Sequence, residues 1–131
     1  PEAELALAAV GKFTVLILGM GDDGHTASLF PGADALALGL DMDSGRTCIG
    51  VTPTEAPHQR ISMTLPRLID SQQIIIHISG AGKQQVLEQA QAGADVEALP
   101  IRAILNQQQA PLEIYFIKID KCEKRFLENE F

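Results

Sequence analysis

The chain has 131 residues, long enough for one domain with a hydrophobic core of its own. Apolar residues make up 46% and charged residues 21%, which excludes a disordered chain, a collagen-like repeat and a disulfide scaffold. Seventeen acids against ten bases give a net charge of -7; with no basic stripe, that argues against nucleic-acid binding and suits a cytoplasmic protein.

In chain order, Glu2 to Val10 reads as the end of a helix closed by Gly11. It is amphipathic and has no start methionine, so the chain reads as cut from something longer. Phe13 to Leu18 is a continuous apolar run, the pattern of a buried parallel strand. A glycine loop follows, then a short helix from about His25 to Phe30, stopped by Pro31-Gly32. Asp34 to Leu40 reads as a further helical turn. Thr47 to Val51 is a candidate strand, and Pro53 and Pro57 mark a surface loop. Arg60 to Thr64 alternates as a strand does, and Leu65 to Asp70 is a helical turn with Pro66 early in it.

Gln73 to Ser79, "QIIIHIS", is the second strong strand. Gly80-Ala81-Gly82 opens a helix from Lys83 to Ala92 with Val86, Leu87 and Ala90 on one side. Pro100 starts another helix, and Leu112 to Ile119 is a third apolar strand before a charged helix. Strands alternating with helices predict one α/β domain over residues 1–131, with an open, mainly parallel sheet flanked by helices. Lys118, Lys121, Lys124 and Arg125 alternate with acids and read as a solvated face. Cys48 and Cys122 have no metal-type spacing and read as free thiols, which fits a reducing compartment. No apolar stretch approaches the roughly eighteen residues a membrane span needs, and no signal segment opens the chain.

Gly19, Gly21 and Gly24 spell GxGxxG after the first strand, but a dinucleotide site is rejected on three grounds. The helix after the loop is too short to face a pyrophosphate. Asp22 and Asp23 would repel it. Asp41 and Asp43, at the right distance for a ribose contact, follow a glycine-rich loop rather than a strand. In "SGAGK", His77 and Gln84 stand where a P-loop needs Gly and Ser or Thr. A more modest phosphate cradle remains, with Lys83 at a helix start.

The two loops therefore lie at the carboxyl ends of two strong strands, the edge where open α/β sheets place ligands. His25 is the one histidine inside a glycine turn and is a candidate general base; the competing reading is a helix cap. Asp23 is a candidate to orient the imidazole or hold a hydroxyl, and otherwise satisfies turn amides. His77, mid-strand among isoleucines, reads as a core or sheet-face residue, and His58 as solvated. Ser28 lies in no nucleophile elbow. No element carries metal-ligand spacing, so neither a metal nor a cofactor is expected.

The stretch "LILGMGDDGHTASLFPG", Leu16 to Gly32, resembles the signature of the 6-phosphogluconolactonases over seventeen consecutive positions. "RISMTLP", "SGAGK" and "LPIRAIL" resemble further segments of that family in the right order. The related glucosamine-6-phosphate deaminases share Gly-x-Asp-Gly-His but continue differently from Thr26-Ala27-Ser28-Leu29-Phe30-Pro31. The resemblance implies a Rossmann-like sheet of the NagB/ribose-5-phosphate isomerase/CoA transferase-like kind, lacking its first strands. It implies hydrolysis of 6-phosphoglucono-δ-lactone to 6-phosphogluconate, in the oxidative pentose phosphate pathway. His25 would activate water, Lys83 would bind the 6-phosphate, and Arg60 would contact phosphate or hydroxyl or remain a surface charge. Backbone N–H groups from Gly21 to Gly24 are expected to face the oxyanion.

Family members run to well over two hundred residues, so the chain resembles the C-terminal half or so of one. Self-association, or pairing with an N-terminal half, is expected at its open sheet edge. The alternatives are a glucosamine-6-phosphate isomerase/deaminase-type enzyme, or a truncated chain that keeps a phosphate site without turnover.

Overall fold

A computed structural model of the chain describes residues 2–54 and 58–117. Three parallel strands form the sheet: β1 (Phe13–Leu18), β4 (Ser71–Ser79) and β5 (Leu112–Ile117), in the order β1-β4-β5. Leu16 and Leu18 stand beside Ile74 and Ile76, and Ile74 and Ile78 beside Leu112 and Phe116. The expected open, parallel α/β sheet is the architecture found. β2 (Cys48–Val51) and β3 (Arg60–Met63) pair antiparallel as a separate hairpin.

Period-two alternation sends Leu16, Leu18, Ile74, Ile76 and Ile78 to one face. There they join one core with Leu36 of α2 (Leu36–Leu40), Leu68 of α3 (Leu65–Leu68), Leu87 of α4 (Ala81–Gln91), and Ile101 and Ile104 of α5 (Ile101–Asn106). Ile74 and Ile76 are fully buried, and each such side chain stabilises the fold by about 1.5–3 kcal/mol.

The opposite face differs from expectation. β1 reads as a strand covered on both sides, yet Val15 and Ile17 are 50% and 67% exposed, and Tyr115 and Ile117 about half exposed. The helices α2 to α5 all contribute to the core on the first face, and among the described residues β1 pairs with β4 alone. His77 is exposed on the open face, beside Tyr115, which is the sheet-face placement its surroundings suggested.

Polar side chains fasten the ends of the elements. Glu4 of α1 (Glu2–Ala9) accepts the Thr47 and Cys48 N–H groups at 2.7 and 3.1 Å. These bonds, the Thr47 one foremost, hold its carboxyl down to about 2. Buried Arg67 donates to the Val10 and Gly11 carbonyls and lies over the Phe13 ring. Buried Arg102 donates to the Gln89, Ala90 and Asp95 carbonyls, satisfying the end of α4. Cys48 is buried and free.

One expected element is absent. Residues 25–30 form turns joined by a Thr26–Leu29 bridge, not a short helix. Ala27 sits at φ +50° and Gly24 at φ +80°, values a right-handed helix does not admit. The Thr26 hydroxyl bonds back to the Gly19 carbonyl at 2.8 Å. Nothing in "HTASLF" announces the left-handed alanine. The other elements lie within two residues of their expected bounds, the core strand β4 beginning two residues early at Ser71. The expected end of the third strand, the charged helix with Lys118 to Arg125, Cys122 and residues 55–57 of the surface loop lie outside the described residues.

Candidate active site

β1 and β4 are neighbours and run in parallel, so their carboxyl-terminal loops emerge side by side. After β1 the chain enters a turn closed by its own backbone. The Gly21 N–H donates to the His25 carbonyl at 2.9 Å, and the Gly24 N–H to the Gly21 carbonyl at 3.0 Å. These two amides of the Gly21–Gly24 segment are therefore engaged inside the turn. What Gly21 supplies is room: a Cβ there would fall on the His25 ring. Gly24 has a positive φ and backs onto Leu99, and its carbonyl accepts the Ile101 N–H at 2.9 Å, at the start of α5.

The turn presents a dyad. Asp23 Oδ1 accepts the His25 backbone N–H at 3.0 Å and lies 2.5 Å from His25 Nδ1. Burial raises the Asp23 carboxyl, but the two bonds from His25 and the imidazole's charge outweigh it and hold the pKa below the ordinary value. Asp23 is thus a carboxylate at neutral pH and can only accept, so Nδ1 carries the hydrogen of the 2.5 Å contact. In the neutral form of the ring Nε2 then keeps a lone pair, the arrangement of a general base with an orienting acid.

After β4 the backbone turns at Gly80, φ +97°, and enters α4, where Lys83 is the third residue. His25, Gly21 and Lys83 line one cleft of about 520 Å³, together with Ala27 and Met63. An imidazole and an ammonium therefore face the same space. Asp23 is at its rim through His25, and Gly24 is buried beneath it.

Arg60 is not part of this cleft. It lines a neighbouring one of about 320 Å³ with Gly50, Thr52 and Gln59, and its guanidinium carbon is 5.1 Å from the centre of the Phe30 ring. That placement sets Arg60 against Phe30, outside the cleft of His25 and Lys83. The sequence reading missed Ala27, Met63 and Phe30. All three lie within the recognised motifs, where no spacing or residue type singles them out. Among the described residues, no group of three or more His, Cys, Asp or Glu side chains is placed to hold a metal ion. No described helix is long and apolar enough to cross a membrane.

Known proteins resemble the chain in sequence and in fold. The chain is 45% identical over 115 residues to a 6-phosphogluconolactonase of Pseudomonas putida, covering 88% of this chain and 46% of that one. A crystal structure of a 6-phosphogluconolactonase from Shewanella baltica OS155 superposes with a TM-score of 0.82 at 36% identity, covering 89% of this chain and 51% of that one. A monomeric glucosamine-6-phosphate deaminase, described as a missing link of the NagB superfamily, has a TM-score of 0.68 at 20% identity, over 96% of this chain and 52% of that one; it shares the fold. The chain spans about half the length of the curated relatives it matches. With residues 2–113 matching the family described as glucosamine-6-phosphate isomerases/6-phosphogluconolactonase, the chain belongs to that family.

Proposed function

We propose that this chain carries the catalytic base and a phosphate-binding cation of a 6-phosphogluconolactonase, acting on 6-phosphoglucono-δ-lactone. The observation that carries the reading is the shared cleft of His25 and Lys83. His25 Nε2 takes a proton from water as the water oxygen attacks the lactone carbonyl. The tetrahedral intermediate then expels the ring oxygen, breaking the ester C–O bond, and the imidazolium returns its proton to that oxygen. The product is 6-phosphogluconate. Asp23 keeps Nδ1 protonated and offsets the imidazolium charge, help typically worth about 10² to 10⁴ in rate for the base as a whole. Lys83 holds the 6-phosphate, assisted by the N-terminal N–H groups of α4. No metal or cofactor enters this scheme, and a cytoplasmic setting suits it.

The uncovered sheet face supports a second part of the reading. Among the described residues β1 offers an unpaired edge, and Val15, Ile17, Tyr115 and Ile117 offer apolar surface. The remainder of the family's length is the occupant that fits, as an N-terminal half laid on this face. Adding the N-terminal half of a relative should raise turnover and cover Ile17; self-association of the chain alone over the same face would overturn this assignment.

The test is lactone hydrolysis by the intact chain, with and without that half, measured above the spontaneous rate. His25→Ala should abolish the acceleration, and Lys83→Ala should raise KM on the order of ten- to a hundredfold. Ammonia release from glucosamine 6-phosphate without lactone hydrolysis would favour the deaminase reading instead. Binding of 6-phosphogluconate with no acceleration in either form would identify an inactive phosphate-binding chain.

A further inference from the structure

The Asp23–His25 dyad sits in a partly open place: the side chains are 51% and 28% exposed. A hydrogen-bonded pair in contact with water is worth little on its own, and one bond at Nδ1 leaves the ring free to tilt about it. A base must hold its lone pair on the reacting water, since a misplacement of about 1 Å can cost roughly a hundredfold in rate. Something besides Asp23 has to steady the imidazole.

Phe30 is in position to do so. Its ring centre is 4.3 Å from that of His25, with 31° between the planes, a close contact at the short end of aromatic ring packing, which begins at about 4.5 Å. Phe30 is buried, 7% exposed, and Pro31 follows it, so its backbone is restricted. Phe30 in turn meets the hairpin. Arg60, the first residue of β3, places its guanidinium over the same ring, and two positions on, Ser62 Oγ accepts the Ser28 N–H at 3.0 Å. The strand β3 thus grips the turn at two points, one through its backbone and one through the Phe30 ring.

We propose that Phe30 is a positioning residue for the His25 imidazole, and that Arg60 acts through Phe30 rather than on the substrate. The ring fixes one side of the imidazole while Asp23 fixes Nδ1, and Nε2 is left directed at the cleft. The proposal rests on the reading of His25 as the base, but its structural part can be tested without turnover.

The experiment is nuclear magnetic resonance of the intact chain with labelled histidine. His25 is assigned against His58 and His77 by substitution of each. In the native chain the His25 ring protons should carry the upfield shift of a neighbouring aromatic face, and the ring nitrogens should show hydrogen on Nδ1. Phe30→Leu should remove that shift and mix the tautomers; Phe30→Tyr should restore both. In the hydrolysis assay Phe30→Leu should lower kcat on the order of ten- to a hundredfold with KM little changed. Arg60→Gln should move the His25 signals in the same direction and lower kcat by about two- to fivefold, the size of an exposed cation–ring contact, with Arg60→Lys recovering part.

Arg60 is exposed, so Arg60→Gln decides the matter if Phe30→Leu does not fold. Unchanged His25 signals in a folded Phe30→Leu chain, or in Arg60→Gln, overturn the proposal. A raised KM in Arg60→Gln with unmoved His25 signals returns Arg60 to direct substrate contact. Moved signals in a chain without lactone hydrolysis uphold the positioning role and defeat the lactonase reading.

Discussion

The two glycine loops at the top of the sheet look alike in sequence and are built on opposite terms. In the loop after β1, glycine is demanded at two positions, Gly21 and Gly24, by what surrounds them. The His25 ring occupies the space a Gly21 side chain would need, and Leu99 that of Gly24. In the loop after β4, a Cβ at Gly80 or Gly82 would meet open space. Only the φ of +97° at Gly80 calls for glycine there. The first loop is a packed fixture that holds one imidazole; the second is a bend that leads the chain into α4 and leaves room for an anion.

That contrast can be broken by adding single methyl groups. Gly21→Ala should have the largest functional effect, a fall in kcat on the order of a hundredfold as the imidazole is displaced, read in the lactone assay. Gly24→Ala combines a left-handed alanine with overlap on Leu99 and should destabilise the fold by about 2–4 kcal/mol, measured by urea unfolding. Gly80→Ala meets backbone strain alone and should cost about 1–3 kcal/mol. Gly82→Ala, in the first turn of α4 with free space, should be neutral or stabilising by up to about 1 kcal/mol. Should Gly82→Ala prove as damaging as Gly24→Ala, the two loops would not differ in kind.

The smallest effect sharpens the picture of the first loop through acid titration. The Asp23 carboxyl is lowered in the folded chain, so the unfolded chain binds this proton at higher pH. The stability that Asp23 contributes is full above its ordinary carboxyl value of 3.8 and is lost as pH falls through the lower folded value. The carboxyl carbon resonance of Asp23 should therefore titrate below the ordinary value of 3.8, and His25→Ala should raise its midpoint. Glu4, held at about 2 by the Thr47 and Cys48 amides, should behave the same way, and Glu4→Gln should loosen α1 from β2.

Much of the fold was legible because its strongest signals are local. The runs of Phe13–Leu18 and the isoleucines of β4 mark strands whatever surrounds them. The juxtaposition of His25 and Lys83 was legible because parallel neighbouring strands put their loops together. Three things were not. The left-handed Ala27 depends on Thr26 bonding back to Gly19, which no propensity encodes. The open face of β1 depends on which side the helices take, and an apolar run does not distinguish one covered face from two. The position of Arg60 over Phe30 depends on a hairpin meeting a turn thirty residues earlier in the chain, a relation that spacing along the sequence does not carry.

The carbonyl of Gly24 and the amide of Ile101 tie the turn that bears the imidazole to the first coil of α5. Leu99 presses on the same glycine. The reactive bend and that helix are thus one fastening rather than two. On warming, the temperature at which helical signal from α5 melts and the temperature at which turnover disappears should coincide, and heat should not leave behind a folded core stripped of its chemistry.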